Sequence, residues 1–164
     1  MPLPQAIRLS EAMTQSVARG LTRLEAQMLV LLALGRSTHD RAWLLSHDAD
    51  VLPREAHQSL QALTQRRLSG EPMAYLTGHK EFFGLMLQID ARVLDPRADT
   101  EILVDWSLEC LQPLQSPRLM DLGTGSGAIA LAIQSQRPDA QVHAVDASAA
   151  ALAVAQANAQ RLGL

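Results

Sequence analysis

The segment from Asp121 to Gly127 carries the residues whose types and spacing point most directly to chemistry. It reads Asp-Leu-Gly-Thr-Gly-Ser-Gly, so glycines stand at alternate positions 123, 125 and 127. Glycine has no Cβ atom, and a turn built this way lets a bound molecule come closer to the backbone than any other residue type allows. A second carboxylate, Asp146, directly follows the predicted strand 141–145. These features together predict a ligand-binding site.

The elements around this segment predict how it is held. Strands are predicted at 118–122 and 141–145, with a helix over 128–136 between them. A second helix over 149–162 is predicted to begin after Ser148 as its cap and to end at Gly163. A strand, crossover helix and strand form a βαβ unit, so the two strands should be parallel with a right-handed crossover.

Two classes of cofactor use a glycine turn of this kind. Dinucleotide enzymes use Gly-x-Gly-x-x-Gly/Ala, which Gly123, Gly125 and Ala128 satisfy. Their turn faces a pyrophosphate, which the carboxylate of Asp121 would repel, whereas the same carboxylate would attract a cationic methionine moiety. Asp146 does not separate the two, because ribose hydroxyls of either cofactor could donate to it, and a carboxylate after a strand is often only a cap.

The pattern Asp-x-Gly-x-Gly-x-Gly is similar to motif I of the class I methyltransferases, which favours S-adenosylmethionine. The residues predicted to bind this cofactor are Asp121, Gly123, Thr124, Gly125, Ser126, Gly127 and Asp146. No metal site is predicted, and no catalytic residue is identified.

The N-terminal half has a different pattern. From about residue 4 to residue 77 apolar residues recur at helical spacing, which predicts a small helical bundle. Thr22 and Glu25 form a capping box before the most apolar helix, and Gly35 is the predicted stop. Pro53 suits the first position of another helix.

A different pattern follows this half. Over residues 80–90 two short apolar stretches on either side of Gly84 predict a β-hairpin that connects two domains. An amphipathic helix is predicted over 100–111, with Asp99 as its cap.

Composition excludes some classes of protein. With a net charge of −3 over 164 residues and a pI near 5.9, the chain is not a general nucleic-acid coat protein, which needs a basic surface. Cys110 is the single cysteine, so no intramolecular disulfide can form and a reducing compartment is expected. We expect Cys110 to be a small buried hydrophobe on a helix. The start lacks a signal-peptide pattern, and the longest apolar run, 28–34, is far shorter than a membrane span, so a cytoplasmic location is expected.

Four blocks of sequence, in order, carry a specific resemblance. They are Gly-Glu-Pro-Met-Ala-Tyr-Leu-Thr-Gly at 70–78, Glu-Phe-Phe-Gly-Leu at 81–85, Pro-Arg-Ala-Asp-Thr-Glu at 96–101, and Asp-Leu-Gly-Thr-Gly-Ser-Gly-Ala-Ile-Ala at 121–130. Their order and spacing resemble the HemK or PrmC family of protein-glutamine methyltransferases.

The resemblance implies an α/β protein with three parts: a helical substrate-recognition domain over 1–78, a β-hairpin linker over 79–98, and the start of a Rossmann-like, S-adenosylmethionine-binding catalytic domain over 99–164. It implies methylation of the glutamine in the Gly-Gly-Gln loop of peptide-chain release factors. The expected partners are release factors, without direct nucleic-acid or membrane contact, and the expected state is a monomer.

Two departures from the family pattern accompany this likeness. Ala98 stands where the family usually has a second proline. The family's Asn-Pro-Pro-Tyr motif, which holds the substrate amide, does not occur between Met1 and Leu164. An amide nitrogen is a poor nucleophile, so catalysis depends on positioning it. We therefore expect the 164 residues to lack the part that performs the chemistry, to need on the order of a hundred more for a complete domain, and to expose apolar strand faces.

Three alternatives stay open. The substrate glutamine could belong to a ribosomal protein instead of a release factor. The chain could act as a non-catalytic module that binds a release factor through its helical half. A nicotinamide-dependent enzyme is the third, because the glycine pattern also fits that class.

Overall fold

The chain divides into two compact units between Thr77 and Gly78. The computed structural model describes residues 7–164. The first unit is helical, and the second contains a β-hairpin followed by an α/β segment. The predicted fold class is confirmed.

The helical unit consists of short helices joined by tight connections. They are α1 (Leu9–Ala18), α2 (Arg23–Ala33), α3 (Arg41–Ser46), α4 (Arg54–Leu68) and α5 (Met73–Thr77). Residues at helical spacing build one shared core, in which Leu29, Val30, Leu31 and Leu44 are fully buried.

The capping and stop residues of α2 and α4 lie at or within one residue of their predicted positions. The Thr22 hydroxyl accepts a hydrogen bond from the Glu25 N–H at 3.2 Å, and the Glu25 carboxylate accepts one from the Thr22 N–H at 2.8 Å, which completes the predicted capping box. Gly35 adopts a φ of 68° just after α2 and so ends it as predicted. Pro53 caps α4, which begins at Arg54, one residue later than predicted.

The second unit begins with an antiparallel hairpin and continues with a parallel strand pair. Its elements are β1 (His79–Phe82), β2 (Leu85–Gln88), a 3-10 turn (Ala98–Thr100), α6 (Glu101–Leu111), β3 (Arg118–Leu122), α7 (Ala128–Gln136), β4 (Gln141–Val145) and α8 (Ala149–Leu162). The register of β3 and β4 pairs Arg118 with Gln141 and Leu122 with Val145. The predicted strands, helices and parallel pairing after residue 117 are confirmed.

The hairpin turn is held by two carboxylates. Phe83 and Gly84 have φ values of 50° and 76°, and the first is uncommon for a residue with a side chain. Glu101 accepts a hydrogen bond from the Phe83 N–H at 3.1 Å, and Glu81 accepts one from the Gly84 N–H at 2.7 Å. The segment 79–98, interpreted from sequence as a linker, lies within the second compact unit.

Two predictions for α6 are wrong. Asp99 does not cap this helix, because it lies inside the 3-10 turn that runs into α6, and the Thr100 N–H donates to the Arg97 carbonyl at 2.9 Å. Cys110 is on α6 but exposed. The buried side of the helix carries Val104 and Leu111, seven positions apart, and Cys110 falls outside that stripe.

None of the helices in the described part of the chain combines the length and the apolar character needed to cross a membrane.

A candidate cofactor-binding site

The glycine turn connects the end of β3 to the start of α7 and closes over the end of β4. The N–H groups of Gly123 and Thr124 both donate to the carbonyl of Val145, at 2.9 and 3.0 Å. The turn is therefore fixed to both strands of the parallel pair, at their carboxyl ends. In open α/β sheets ligands bind outside this edge.

The three glycines of the turn have two different structural roles. All have positive φ: 76° at Gly123, 56° at Gly125 and 83° at Gly127. A Cβ atom at Gly123 or Gly125 would meet no atom within 4 Å, whereas one at Gly127 would lie 3.0 Å from Leu131 Cδ1 and 3.3 Å from Ala155 Cβ. The first two glycines border open space and let a ligand reach the backbone, while the third allows close packing of α7 and α8.

Asp146 lies one residue beyond β4 and holds the turn from that side. One carboxylate oxygen accepts a hydrogen bond from the Gly125 N–H and the other from the Ser148 N–H, both at 2.9 Å. The Ser148 N–H, followed by the Gly125 N–H, lowers the pKa of Asp146 below its ordinary value. An ionised carboxylate offers about four lone-pair directions. The N–H groups of Ser148, Gly125 and Ala147 do not fill all of these directions, so the carboxylate can still accept from a ligand.

Asp121 stabilises the other side of the turn. Its carboxylate accepts a hydrogen bond from the Thr124 hydroxyl at 2.7 Å. Thr124 is buried, at 7% exposure, and Asp121 is half-buried. Asp121 and Asp146 thus place two carboxylates against one short turn. Such a turn attracts cations and repels phosphates.

Ser126 is also buried, and its carbonyl contacts a residue that the sequence did not single out. The carbonyl accepts a hydrogen bond from the side-chain amide of Asn158 in α8 at 3.0 Å. Asn158 is fully buried. Its spacing from the buried residues Ala151 and Val154 is that of one helix face, which was the available signal for an inward-facing polar side chain.

Among residues 7–164, no group of three or more His, Cys, Asp or Glu side chains is placed to hold a metal ion.

Comparison with protein families gives two matches. Residues 5–78 match the PrmC N-terminal domain family, and residues 99–164 match the methyltransferase small domain family. Fold, turn and matched domains together define a helical domain of the PrmC N-terminal type followed by part of an α/β methyltransferase domain.

Among curated proteins the chain is similar to several enzymes named release factor glutamine methyltransferase. It is 54% identical to that of Bordetella pertussis over 144 residues, covering 88% of the chain and 52% of the relative. It is 45% identical to that of Xylella fastidiosa over 162 residues, covering 99% and 56%. It is 44% identical to that of Escherichia coli over 156 residues, covering 95% and 55%.

The chain belongs to the PrmC (HemK) family of release factor glutamine methyltransferases. It spans about half the length of the curated relatives it matches.

Proposed function

We propose that the glycine turn binds S-adenosylmethionine and that the chain forms the recognition and cofactor-binding part of an enzyme that methylates a glutamine of release factors. The observation that carries the proposal is open backbone at Gly123 and Gly125 between the carboxylates of Asp121 and Asp146. Protein release factors act in the cytoplasm, so the proposal places the enzyme there.

Each residue of the turn has a distinct task in this proposal. Gly123 and Gly125 admit the ligand, and Asp146, already oriented by two backbone N–H groups, accepts hydrogen bonds from ribose hydroxyls. Asp121 supplies negative charge for the methionine amino group and sulfonium. S-adenosylmethionine, when bound, supplies an electrophilic methyl group.

A nicotinamide dinucleotide fits this turn less well. Its pyrophosphate would need backbone N–H groups as donors. The Gly125 N–H already donates to Asp146, and the Gly123 and Thr124 N–H groups donate to Val145. A phosphate bound at these three N–H groups would therefore displace existing hydrogen bonds and would approach two carboxylates.

The cofactor assignment is tested by NMR titration of the ¹⁵N-labelled chain, because glycine amides resonate in a separate region and report on the turn directly. Adding S-adenosylmethionine should shift the amides of Gly123, Gly125 and Gly127 and leave those of Gly20 and Gly35 in the helical unit unchanged. Shifts confined to the helical unit would contradict the proposal.

Gly125→Val should abolish these shifts, because the added methyl groups fill the ligand's space. Gly84→Val is the matched control, since Gly84 also has positive φ and open space beside it but lies in the hairpin turn. Equal loss of binding in both variants would mean that backbone strain, and not occupation of the ligand space, causes the loss.

The substrate assignment rests on the relatives, whose names specify release factors. A chimaera joining residues 1–164 to the remaining C-terminal part of the Escherichia coli relative should methylate a release factor in preference to a ribosomal protein. Residues 1–164 alone, which contain no Asn-Pro-Pro-Tyr sequence, provide the background. Preference for the ribosomal protein would assign the alternative substrate. A chimaera that binds the cofactor and the release factor but transfers no methyl group would favour a non-catalytic recognition module.

A further inference from the structure

The buried side chain of Asn158 forms three hydrogen bonds to main-chain atoms, and its Oδ1 also accepts one from Arg161. Its Oδ1 accepts from the Gln88 N–H at 2.7 Å, and its Nδ2 donates to the Gln88 carbonyl at 3.1 Å and to the Ser126 carbonyl at 3.0 Å. Both donors of the amide are used, and no part of the side chain is exposed. A buried amide with this many partners is costly to disturb, because each partner would be left without a hydrogen bond.

The three bonds connect two parts of the second unit that are far apart in sequence. Gln88 ends β2 of the hairpin, and Asn158 pairs with its main chain as a neighbouring strand residue would. Ser126 lies inside the glycine turn, between the open position Gly125 and the tightly packed Gly127. One side chain of α8 therefore fixes the end of the hairpin and the centre of the turn.

The bond to Ser126 holds the second half of the turn from α8. Val145 and Asp146 hold the first half of the turn through the N–H groups of Gly123, Thr124 and Gly125. On the second half, Asn158 holds the Ser126 carbonyl and so orients the peptide plane between Ser126 and Gly127. That plane sets the path by which the chain leaves the ligand edge and enters α7.

We infer that Asn158 is a positioning residue for the cofactor: it keeps the glycine turn in its ligand-accepting conformation and ties that turn to the β1–β2 hairpin. This inference rests on the proposed binding of S-adenosylmethionine at the turn. Asn158 itself touches main chain at both places, so its effect on the ligand is transmitted through Ser126.

A second α8 residue provides a matched control. Arg161 donates a hydrogen bond to the Met86 carbonyl of β2, so it also joins α8 to the hairpin. Among the described residues its guanidinium bonds to the Met86 carbonyl and to Asn158 Oδ1, and not to the turn. Arg161→Ala loosens the same helix from the same hairpin while it leaves the bond to Ser126 in place.

The test compares Asn158→Asp with Arg161→Ala in the 164-residue chain. Aspartate keeps the size of the side chain and the acceptor for the Gln88 N–H but loses both donors. Affinity for S-adenosylmethionine, measured by NMR well below the unfolding temperature, should fall about tenfold in Asn158→Asp and less than about twofold in Arg161→Ala. Gln88→Ala should have no effect, because the side chain is exposed and only main-chain atoms of Gln88 bond to Asn158.

A spectroscopic signature separates positioning from general stability. The Gly127 amide nitrogen is bonded to the Ser126 carbonyl carbon, so its chemical shift reports the hydrogen bond that the carbonyl accepts. It should move in ligand-free Asn158→Asp and stay in place in Arg161→Ala. Equal affinity in wild type and Asn158→Asp, or an equal loss in both α8 variants, would overturn the inference.

A measurement on the unchanged protein covers the case in which Asn158→Asp does not fold. Saturating S-adenosylmethionine should slow the exchange of the Asn158 side-chain amide protons severalfold, because ligand and amide stabilise the same turn conformation. Unchanged exchange in a chain that binds the ligand would refute the positioning role. Absence of ligand binding by the wild type would instead count against the proposed function, and the Gly127 shift would still decide whether Asn158 holds the turn.

Discussion

The helical unit and the α/β unit differ in how completely they bury their apolar side chains. In the helical unit Leu29, Val30 and Leu31 are fully buried within one shared core. In the α/β unit α7 and α8 bury apolar side chains, but β3 exposes two of its own: Met120 is 61% exposed and Leu122 74%. Strands of parallel sheets are apolar on both faces because both faces are normally covered. The helical unit buries its core side chains within itself. Strand β3 has apolar side chains suited to burial, but none of the described residues covers Met120 or Leu122.

The contrast also separates stability from function. Along the chain, the core of the helical unit is far from Asp121 and Asp146, the carboxylates of the candidate site. The core and these carboxylates belong to separate compact units. The glycine turn lies at the carboxyl end of the β3–β4 sheet, whose strand β3 is partly exposed. Mutations should therefore affect either folding of the helical unit or ligand binding, and seldom both.

The largest effect is expected from Leu29→Ala. Loss of a fully buried leucine side chain should lower the free energy of unfolding of the helical unit by about 2–5 kcal/mol. Trp43 lies in this unit and Trp106, exposed on α6, in the other, so Trp43 fluorescence in a Trp106→Phe background reports the helical unit. Binding of S-adenosylmethionine at a temperature where the variant is folded should be unchanged. A loss below about 1 kcal/mol would mean that the site is not part of a tightly packed core.

Asp146→Ala should produce the opposite result. It removes the acceptor for the Gly125 N–H and the predicted acceptor for the ribose, so affinity for S-adenosylmethionine should fall roughly 10- to 100-fold. Unfolding of the helical unit, followed by Trp43 fluorescence, should not change. Wild-type affinity in this variant would reduce Asp146 to a structural cap.

Glu25 gives the helical unit a pH dependence of moderate size. Burial raises its pKa, but hydrogen bonds from the Thr22 N–H and from Arg67, the latter at 2.8 Å, outweigh burial and lower it. A carboxylate with a lowered pKa contributes stability above its unfolded value of about 4.3, and this stability is lost as the pH falls through the folded value. Glu25→Gln should therefore be less stable than wild type near neutral pH and should lose less additional stability in acid.

Glu55→Gln is the control for that measurement, because Glu55 is exposed in the first turn of α4. Urea midpoints of the Trp43 signal between about pH 3 and 7 would show the difference. Parallel curves for wild type and Glu25→Gln would exclude Glu25 as the titrating group.

The smallest effect is expected on the exposed strand face. Leu122→Ser should change the free energy of unfolding of the α/β unit by no more than about 0.5 kcal/mol, because the side chain is already largely in water. It should also reduce self-association, since it interrupts an exposed apolar strand. Light scattering and near-ultraviolet circular dichroism would measure both. Destabilisation as large as that of Leu29→Ala would contradict the contrast between the units.

Sequence patterns predicted most of this architecture because local signals determine it. Strands β3 and β4 and helices α7 and α8 follow from apolar runs that end at glycine, proline or serine, and the capping box of Thr22 and Glu25 needs only neighbouring residues. Asp99 and Cys110 were misplaced because their surroundings depend on how α6 packs, which its own sequence does not determine.

The candidate site divides in the same way. The glycines and carboxylates could be identified from spacing alone. Separation of the open positions Gly123 and Gly125 from the packed Gly127 required the position of Ala155 on α8. Asn158 acts on Ser126 and Gln88, which are 32 and 70 positions away, so no local pattern predicts its bonds.

Selection of a cationic nucleoside ligand over a dinucleotide should follow from the two carboxylates beside the open glycines. Its most direct test is a pair of NMR titrations of the 164-residue chain, one with S-adenosylmethionine and one with NAD, read at the amides of Gly123, Gly125 and Gly127. We expect saturable shifts with S-adenosylmethionine and none with NAD at the same concentration. Saturable shifts of the same amides with NAD, and none with S-adenosylmethionine, would contradict the account.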